Sequence, residues 1–411
     1  MVLVSELDLP TYDHVDANVT GERFHAALKE LAAQSWIVRG ATGYAVLDHE
    51  TGNALLRDRR LAFPALELLE LQGVTEGPIW DRSADGLMVQ TGDAHARLRR
   101  QLAPAFTPRA AERLRPQLRE RVEKLWEPVQ EHGRCELVST LAEPLPSQAI
   151  AALLGMPEDA PLLARWSVLL QEVFKFRLDE VGPQVEQAFL DVREYVTDLL
   201  ARRRSEPGED LASVLAAADD LTDDEAATLV SSVISGGTDT TTAQIAHGMR
   251  LFAQHPDQWR ALRDDPSLVD AAVEEVLRYE PITPFTARLV KEELEVRGVR
   301  FPVGTVVFVC AATANRDPAV FEEPERFDVT RDRGSAPILT FGMGTHYCPG
   351  AYLARAELAE VFRYLAPRTP GLRLDGEPWL GPTTGIYAVE SLPLRWETTT
   401  SAPVSGSAAA R

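Results

Sequence analysis

The fold is decided by one stretch near the C-terminal end, Phe341-Gly342-Met343-Gly344-Thr345-His346-Tyr347-Cys348-Pro349-Gly350. A cysteine stands at the end of a glycine-punctuated loop, and the helix-forming run 351–358 follows at once. Gly342 and Gly344 allow backbone conformations closed to other residues and a close approach to a flat partner. Pro349 suits the first turn of a helix. The pattern predicts that Cys348 lies at a helix N-terminus, where free N–H groups and the helix dipole lower the pKa of a thiol.

A thiolate in this setting can bind a metal ion, and a single thiolate holds the iron in one class of haem enzyme. The pattern Phe-Gly-x-Gly-x-His-x-Cys-x-Gly resembles the haem-binding loop of the cytochrome P450 family. The resemblance implies that Cys348 is the axial ligand of haem b. It also implies cofactor contacts for the other motif residues, Phe341, Gly342, His346 and Gly350. On the loop alone, a buried structural cysteine after a tight turn remains the alternative.

Composition limits the class of protein. The 411 residues are 45% hydrophobic and 25% charged, as in an ordinary globular chain, and the net charge of −20 argues against nucleic acid as a partner. Cys135, Cys310 and Cys348 make no disulfide framework, so we expect a reducing cytoplasm. Residues 1–8 lack the basic and apolar runs of a signal peptide or membrane anchor. We therefore expect a soluble protein, of the kind found among bacterial members of the family, with no membrane partner.

Periodicity predicts a mainly helical (α+β) chain. Predicted helices cover 94–106, 110–127, 161–176, 184–204, 221–254 and 267–279, and predicted strands cover 35–38, 44–47, 294–296 and 305–309. Residues 61–88 are irregular and predict a long ordered loop, which the resemblance places over the substrate. The resemblance implies one triangular helical domain with small sheets over 1–396. The Ser/Ala/Thr-rich tail 397–411 is predicted to be disordered, and the protein to be a monomer.

The predicted helix 221–254 contains a disturbance, Ser235-Gly236-Gly237-Thr238-Asp239-Thr240-Thr241-Thr242. These residues are poor helix formers between apolar flanks, which predicts a bulge within a helix that continues. The segment resembles the family's oxygen-binding segment. The resemblance implies that Gly237 contacts the cofactor, that Gly236 borders the substrate, and that Asp239 and Thr240 are catalytic residues that relay protons. Alone, the segment also fits a helix whose threonines bond to its own carbonyls.

Charged residues elsewhere match further family elements. Glu275 and Arg278 resemble the Glu-x-x-Arg pair, with Arg326 of Pro324-Glu325-Arg326-Phe327 as the implied third, structural member. His95 and Arg99, four residues apart on one helix face, resemble a pair that binds a haem propionate. Arg288 and His346 are the further implied propionate partners. A solvated surface pair is the alternative for Glu275 and Arg278.

The residue after the cysteine is a proline, which cannot donate a hydrogen bond to the sulfur. Hydrogen bonds to sulfur tune the potential of such sites. We expect Pro349 to leave a more electron-rich thiolate and a lower reduction potential. Alternatively, Pro349 serves only to start the helix.

The resemblance implies a monooxygenase that inserts one oxygen atom from O2 into a hydrophobic organic substrate, in the family's habit a secondary metabolite. Electrons come from a ferredoxin and its reductase, and a basic surface is expected to receive the ferredoxin. The arginines of that surface are Arg97, Arg100, Arg109, Arg331, Arg333 and Arg355. The candidate substrate-pocket residues, each of which also fits an ordinary core, are Leu87, Met88, Phe174, Ile234, Gly236, Ile282, Phe285, Ile386 and Tyr387.

Other reactions remain open on the same scaffold, namely oxidative coupling, dealkylation and peroxide-driven oxidation. An alternative of a different class is a haem-binding sensor without turnover. The Asp239–Thr240 pair favours an enzyme that uses O2 and reductant.

Overall fold

The computed structural model describes residues 2–13, 16, 19–332 and 334–398. The α-helices are α1 (Gly21–Gln34), α2 (His49–Arg57), α3 (Ala65–Glu70), α4 (Pro78–Asp85), α5 (Gly92–Leu102), α6 (Pro108–Gln130), α7 (Pro144–Leu153), α8 (Ala160–Gln171), α9 (Leu178–Ser205), α10 (Leu211–Ala216), α11 (Asp223–Gly237), α12 (Asp239–Gln254), α13 (Pro256–Asp264), α14 (Val269–Tyr279), α15 (Ala311–Ala314) and α16 (Ala351–Leu365). The strands are β1 (Val2–Leu3), β2 (Ile37–Arg39), β3 (Tyr44–Val46), β4 (Leu61–Ala62), β5 (Arg134–Glu136), β6 (Phe285–Val290), β7 (Leu294–Val296), β8 (Val299–Phe301), β9 (Val306–Cys310), β10 (Arg373–Leu374), β11 (Trp379–Leu380), β12 (Val389–Ser391) and β13 (Pro393–Arg395).

The mainly helical prediction is confirmed, and local caps explain where helices begin. The hydroxyl of Thr222 accepts a hydrogen bond from the N–H of Glu225, whose side chain bonds back to the Thr222 N–H, and this capping box starts α11. The hydroxyl of Thr107 caps α6 by accepting a hydrogen bond from the N–H of Ala110, and a proline occupies the first helical position. The prediction of one long loop over 61–88 was wrong, because β4, α3 and α4 lie within it. The predicted tail beyond residue 398 lies outside the described residues.

Small sheets flank the helices. The largest has the order β2-β3-β9-β6-β4, in which β3 and β9 are parallel and the other pairs are antiparallel. In this sheet Arg288 of β6 lies opposite Val307 of β9. The remaining sheets are β1-β8-β7, β10-β13-β5 and β11-β12.

Helix α12 passes through the interior, since every residue from Ala243 to Ala253 is buried. A helix that is buried on all sides needs close neighbours, and Gly248 permits one: a Cβ there would lie 2.8 Å from Cζ of Phe362 in α16. The largest apolar cluster includes residues from Leu87 to Trp396, and the single domain over 1–396 stays a prediction. Among the described residues, no helix is long and apolar enough to cross a membrane.

Candidate functional site

The cysteine loop is closed by backbone hydrogen bonds. The N–H of Cys348 donates to the Phe341 carbonyl at 2.9 Å, and the N–H of Gly342 donates to the Leu339 carbonyl at 2.9 Å. Gly342 and Gly344 have φ angles of 67° and 71°, in the left-handed region. The loop therefore needs glycine at both positions, and it delivers Cys348 to the residues just before α16.

The sulfur of Cys348 is set among dipoles and cations. Hydrogen bonds from the N–H groups of Gly350 and Ala351 and the guanidinium groups of Arg99 and Arg355 favour its thiolate, but burial is the larger effect and raises the pKa of the thiol. The prediction of a lowered pKa was therefore wrong for the protein by itself, because desolvation outweighs the helix start. A coordinated metal cation deprotonates a thiol outright, so this sulfur fits a metal ligand.

Pro349 contributes no N–H to the sulfur, whereas Gly350 and Ala351 do. Replacing Pro349 with leucine is expected to raise the reduction potential of the holoprotein, because a new N–H beside the sulfur would withdraw electron density from the thiolate. A potentiometric titration of wild type and P349L measures this. An unchanged or lower potential in P349L would contradict the expectation.

Two histidines and two arginines converge beside the cysteine loop. The rings of His95 on α5 and His346 have centroids 4.4 Å apart. Arg99 donates to the Tyr347 carbonyl. Arg288 on β6 is buried and donates to the carbonyl of its neighbour Ala287 at 2.9 Å. The structure therefore brings together the four residues that the sequence assigned to the propionates.

The cluster has little negative charge around it within the part of the chain that the structure describes. Burial, together with the neighbouring His95, Arg288 and Arg99, lowers the pKa of His346 to about 4. Burial lowers the pKa of Arg288 to about 10. Within the described part of the chain, no carboxylate accepts a hydrogen bond or forms an ion pair with any of the four side chains. The guanidinium of Arg288 is buried and that of Arg99 is half-buried, and among the described residues neither has a carboxylate as counter-charge. The site therefore fits a group that carries two carboxylates, as haem does.

Helices α11 and α12 are separated by a break at Thr238, inside the disturbed stretch 235–242, whereas the sequence predicted a bulge within one continuous helix. The hydroxyl of Ser167, on α8, donates to the Ser235 carbonyl at 3.0 Å and accepts from the Asp239 N–H at 3.2 Å. These are the two groups that an unbroken helix would join directly. The side chain of Gln171 donates to the same carbonyl at 2.9 Å. Insertion of a side chain into the helical ladder is thus the cause of the break.

The residues around the break have distinct surroundings. The hydroxyl of Thr240 donates to the Gly236 carbonyl at 2.7 Å. A Cβ on Gly236 would meet no atom within 4 Å, so this glycine borders open space. A Cβ on Gly237 would lie 2.5 Å from Cδ1 of Ile150, so Gly237 also serves helix packing. Contact of Gly237 with the cofactor stays a prediction.

Asp239 is the first residue of α12. Burial raises the pKa of its carboxyl to about 6; the nearby Lys175 acts in the opposite direction, while Glu390, Glu172 and Glu143 reinforce the rise. A carboxyl group with a pKa near 6 exchanges protons readily close to neutral pH. The side chain therefore has the acidity that a proton relay needs.

The structural triad differs from the prediction in one member. Arg278 binds both carboxylate oxygens of Glu275, at 2.8 and 2.7 Å, and the pair is buried. The third side chain is Arg331, whose Nε lies 3.2 Å from Oε1 of Glu275. Arg326 was the wrong choice, because its side chain is exposed and pairs with Glu323 and Asp328. Only its backbone carbonyl accepts from Arg278, at 3.2 Å.

The predicted pocket residues do not share one surface. Ile282 and Ile386 form a small apolar cluster with Ala243, three residues after Thr240. Leu87 is buried in the main core, Met88 is exposed, and Phe174 is half-buried with its ring 5.9 Å from that of Phe63. For these, and for Gly236, the pocket role stays a prediction.

Three further pocket residues have surroundings that do not support a pocket role, which stays a prediction for each. Ile234 and Tyr387 are fully buried. Phe285 lies on the same face of β6 as Ala287, opposite to Arg288, because side chains alternate along a strand. Its ring packs on Tyr12, with centroids 5.9 Å apart.

The predicted basic surface is smaller than expected. Arg97 is paired with Glu225, Arg355 with Glu274, and Arg331 is buried against Glu275. Arg100 and Arg109 are exposed, and Arg333 lies outside the described residues.

Sequence reasoning also missed Ser167 and Gln171, which no motif marks. It missed Glu357 of α16 as well, whose pKa burial raises to about 8.

The sequence and the fold of this chain are similar to those of known haem-thiolate proteins. The family description "Cytochrome P450" matches residues 162–364. Luteothin monooxygenase of Streptomyces thioluteus is 38% identical over 395 residues, covering 95% of this chain and 96% of that protein. The monooxygenase PikC of Streptomyces venezuelae is 39% identical over 74% of each chain. The crystal structure of P450BioI with an acyl-carrier-protein-linked hexadec-9Z-enoic acid superposes with a TM-score of 0.86 at 32% identity, covering 92% of this chain and 99% of that one.

Proposed function

The chain belongs to the cytochrome P450 monooxygenases, and we propose that it inserts one oxygen atom from O2 into a hydrophobic secondary metabolite with electrons from a ferredoxin. The observation that carries the proposal is the cluster of His95, Arg99, Arg288 and His346 beside Cys348, which has no carboxylate partner among the described residues.

We assign the cofactor as haem b. Cys348 would hold the iron, and His95, Arg99, Arg288 and His346 would hold the propionates. When bound, the haem supplies the activation of O2 and the transfer of an oxygen atom. The chain supplies open space beside Gly236, whose missing side chain leaves room there. It also supplies a proton at Asp239 and a hydroxyl at Thr240 held by the Gly236 carbonyl.

A carbon monoxide difference spectrum of the reduced protein tests the ligand assignment. Wild type is expected to show the red-shifted Soret band of a thiolate-ligated haem. Cys348→Ser should lose that band, because an alcohol is not a thiolate donor. Cys135→Ser, a matched change at a half-buried cysteine, should keep it. Absence of the band in wild type would refute the proposed cofactor site.

The electron donor is assigned from charge. Arg100 and Arg109 are exposed on either side of the turn that joins α5 to α6, and an acidic ferredoxin would be attracted to them. Electron transfer from a ferredoxin, supplied by its reductase, should slow as salt rises. At low salt, Arg109→Glu should transfer electrons more slowly than wild type. The matched control is Arg260→Glu on α13, which should not. A rate that does not depend on salt would count against this docking surface.

The substrate class rests on the apolar cluster of Ala243, Ile282 and Ile386 and on relatives such as luteothin monooxygenase. A spectral screen for compounds that perturb the Soret band would find substrates, and it should include carrier-protein-linked acids in view of the P450BioI complex. Product analysis then separates hydroxylation from coupling and dealkylation. Turnover with peroxide alone would favour the peroxide-driven alternative. Absence of reductant-dependent O2 consumption would favour a sensor.

A further inference from the structure

We propose that His247 is a positioning residue that sets substrate selectivity by fixing the segment that carries Ile386. The inference rests on the proposed function, since it concerns the pocket beside Thr240. His247 lies in the middle of α12 and is fully buried, and neither the haem site nor the helix break uses it.

The segment around Tyr387 is held at four points. Its N–H donates to the Ile282 carbonyl at 2.7 Å, and its hydroxyl accepts from the Gly21 N–H at 2.8 Å. Its carbonyl lies 3.0 Å from Nε2 of His247, and the centroids of the two rings are 4.6 Å apart. His247 is therefore the α12 residue that fixes this backbone, both by a hydrogen bond and by ring packing.

The tautomer of His247 follows from its other neighbour. Nε of Arg250 lies 3.3 Å from Nδ1 of His247, and a guanidinium nitrogen can only donate. Nδ1 is thus the acceptor, so the proton of the neutral ring is on Nε2 and points to the Tyr387 carbonyl. Burial, and next the positive charge of Arg250, lower the pKa of His247 to about 3, so the ring is neutral near pH 7.

Arg250 is in turn held by a buried network. Its Nη2 lies 2.7 Å from Oε2 of Glu280, and its Nη1 donates to Oε1 of Gln254 at 3.2 Å. The other carboxylate oxygen of Glu280 lies 2.8 Å from Nε2 of His25 on α1. Each polar group in this chain of contacts has a partner, as a network that fixes one geometry requires.

The network ends at the pocket. Ile386 precedes Tyr387 and packs with Ile282 and Ala243, and Ala243 lies one turn beyond Thr240 on the same face of α12. Loss of the bond from His247 would leave a buried carbonyl unsatisfied, which costs enough to shift the backbone. A shift of Tyr387 would displace Ile386 and alter the room available to a ligand beside Thr240.

Two azole probes test this without a known substrate. Imidazole is small and reports on the haem site alone, whereas 4-phenylimidazole carries a ring that extends into the pocket. Both are titrated spectroscopically against holoprotein. In His247→Asn, whose amide oxygen can still accept from Arg250 but whose donor cannot reach Tyr387, the Kd of 4-phenylimidazole should change about tenfold. The Kd of imidazole should stay within about twofold in the same variant.

His247→Gln places an amide N–H near the position of Nε2 and should restore the wild-type ratio of the two Kd values. His255→Leu is the matched control, because Nδ1 of His255 also lies by a backbone carbonyl, that of Leu251 at 2.9 Å, immediately after the same helix. In a double-mutant cycle, His247→Asn and Ile386→Ala should be non-additive on 4-phenylimidazole.

The outcomes separate the inference from the proposed function. If wild type shows no spectral response to either azole, the proposed haem site fails. If wild type binds both and H247N keeps the wild-type ratio, the positioning role is refuted. A change in the ratio in H255L as large as that in H247N would also refute it. Should H247N fail to fold, H247Q decides by itself: it keeps a donor to the Tyr387 carbonyl and must keep the wild-type ratio, and a changed ratio in folded H247Q would overturn the inference.

Discussion

Replacement of Glu275 with leucine is expected to lower the free energy of unfolding of the holoprotein by about 3–5 kcal/mol. The carboxylate is buried and accepts from Arg278, from Arg331 and from the Asp328 N–H at 2.9 Å. Its removal leaves two guanidinium groups buried without a counter-charge. Urea unfolding, followed by circular dichroism and by Soret absorbance, measures the loss.

The corrected third member of the triad gives a matched comparison. Arg331→Leu removes a buried partner of Glu275, whereas Arg326→Leu removes an exposed side chain that pairs with Glu323 and Asp328. We expect the second change to cost less than about 1 kcal/mol and the first to cost more. An equal loss in the two variants would contradict the assignment of Arg331.

Replacement of Asp239 with asparagine is expected to lower kcat about 100-fold with the substrate that the spectral screen identifies. The amide keeps the size of the side chain but cannot give up and regain a proton. Burial raises the pKa of Asp239 to about 6, so the carboxyl is protonated below that pH and ionised above it. The wild-type pH–rate profile should therefore have a limb near pH 6, with the rate falling as pH rises, and this limb should vanish in D239N.

Two measurements check that the effect is local. Asp257→Asn removes an exposed carboxylate from the start of α13 and should leave both kcat and the pH profile unchanged. The carbon monoxide band of D239N should also match that of wild type. If D239N retains the pH 6 limb, Asp239 is not the group that titrates.

The titration of Asp239 and that of His247 also make the stability of the fold depend on pH. The pKa of Asp239 is higher in the folded protein than in the unfolded chain. Its contribution to the free energy of unfolding is therefore fully present below about pH 4 and is lost as pH rises through about 6. His247 acts in the opposite sense: its folded pKa is lowered to about 3, so its contribution is lost as pH falls below about 6.5.

Local spacing predicted most of what lies within one element. The cysteine loop, the Glu275–Arg278 pair and the disturbance before Asp239 each occupy a few consecutive residues, so their chemistry can be read directly from the sequence. The cluster of His95, Arg99, Arg288 and His346 spans three elements, and the resemblance to a family was needed to predict it.

What could not be predicted depends on tertiary contacts. Arg326 and Arg331 are five residues apart in an irregular segment, and only the path of the backbone decides which one reaches Glu275. The alternation along β6 places Phe285 on the face opposite to Arg288, and the sequence alone does not show which of these faces borders a pocket. The sign of the Cys348 pKa shift depends on burial, which the helix-start argument does not include.

Ser167 of α8 links α11 to α12 by hydrogen bonds at the break between them. Its hydroxyl spans the gap between the Ser235 carbonyl and the Asp239 N–H with bonds of 3.0 and 3.2 Å, and hydrogen bonds weaken sharply once stretched by a few tenths of an ångström. A shift of α8 relative to α11 and α12 would therefore break both hydrogen bonds of Ser167 at the helix break. We therefore expect a displacement of α8 to disturb the position of Asp239, because its N–H donates to Ser167.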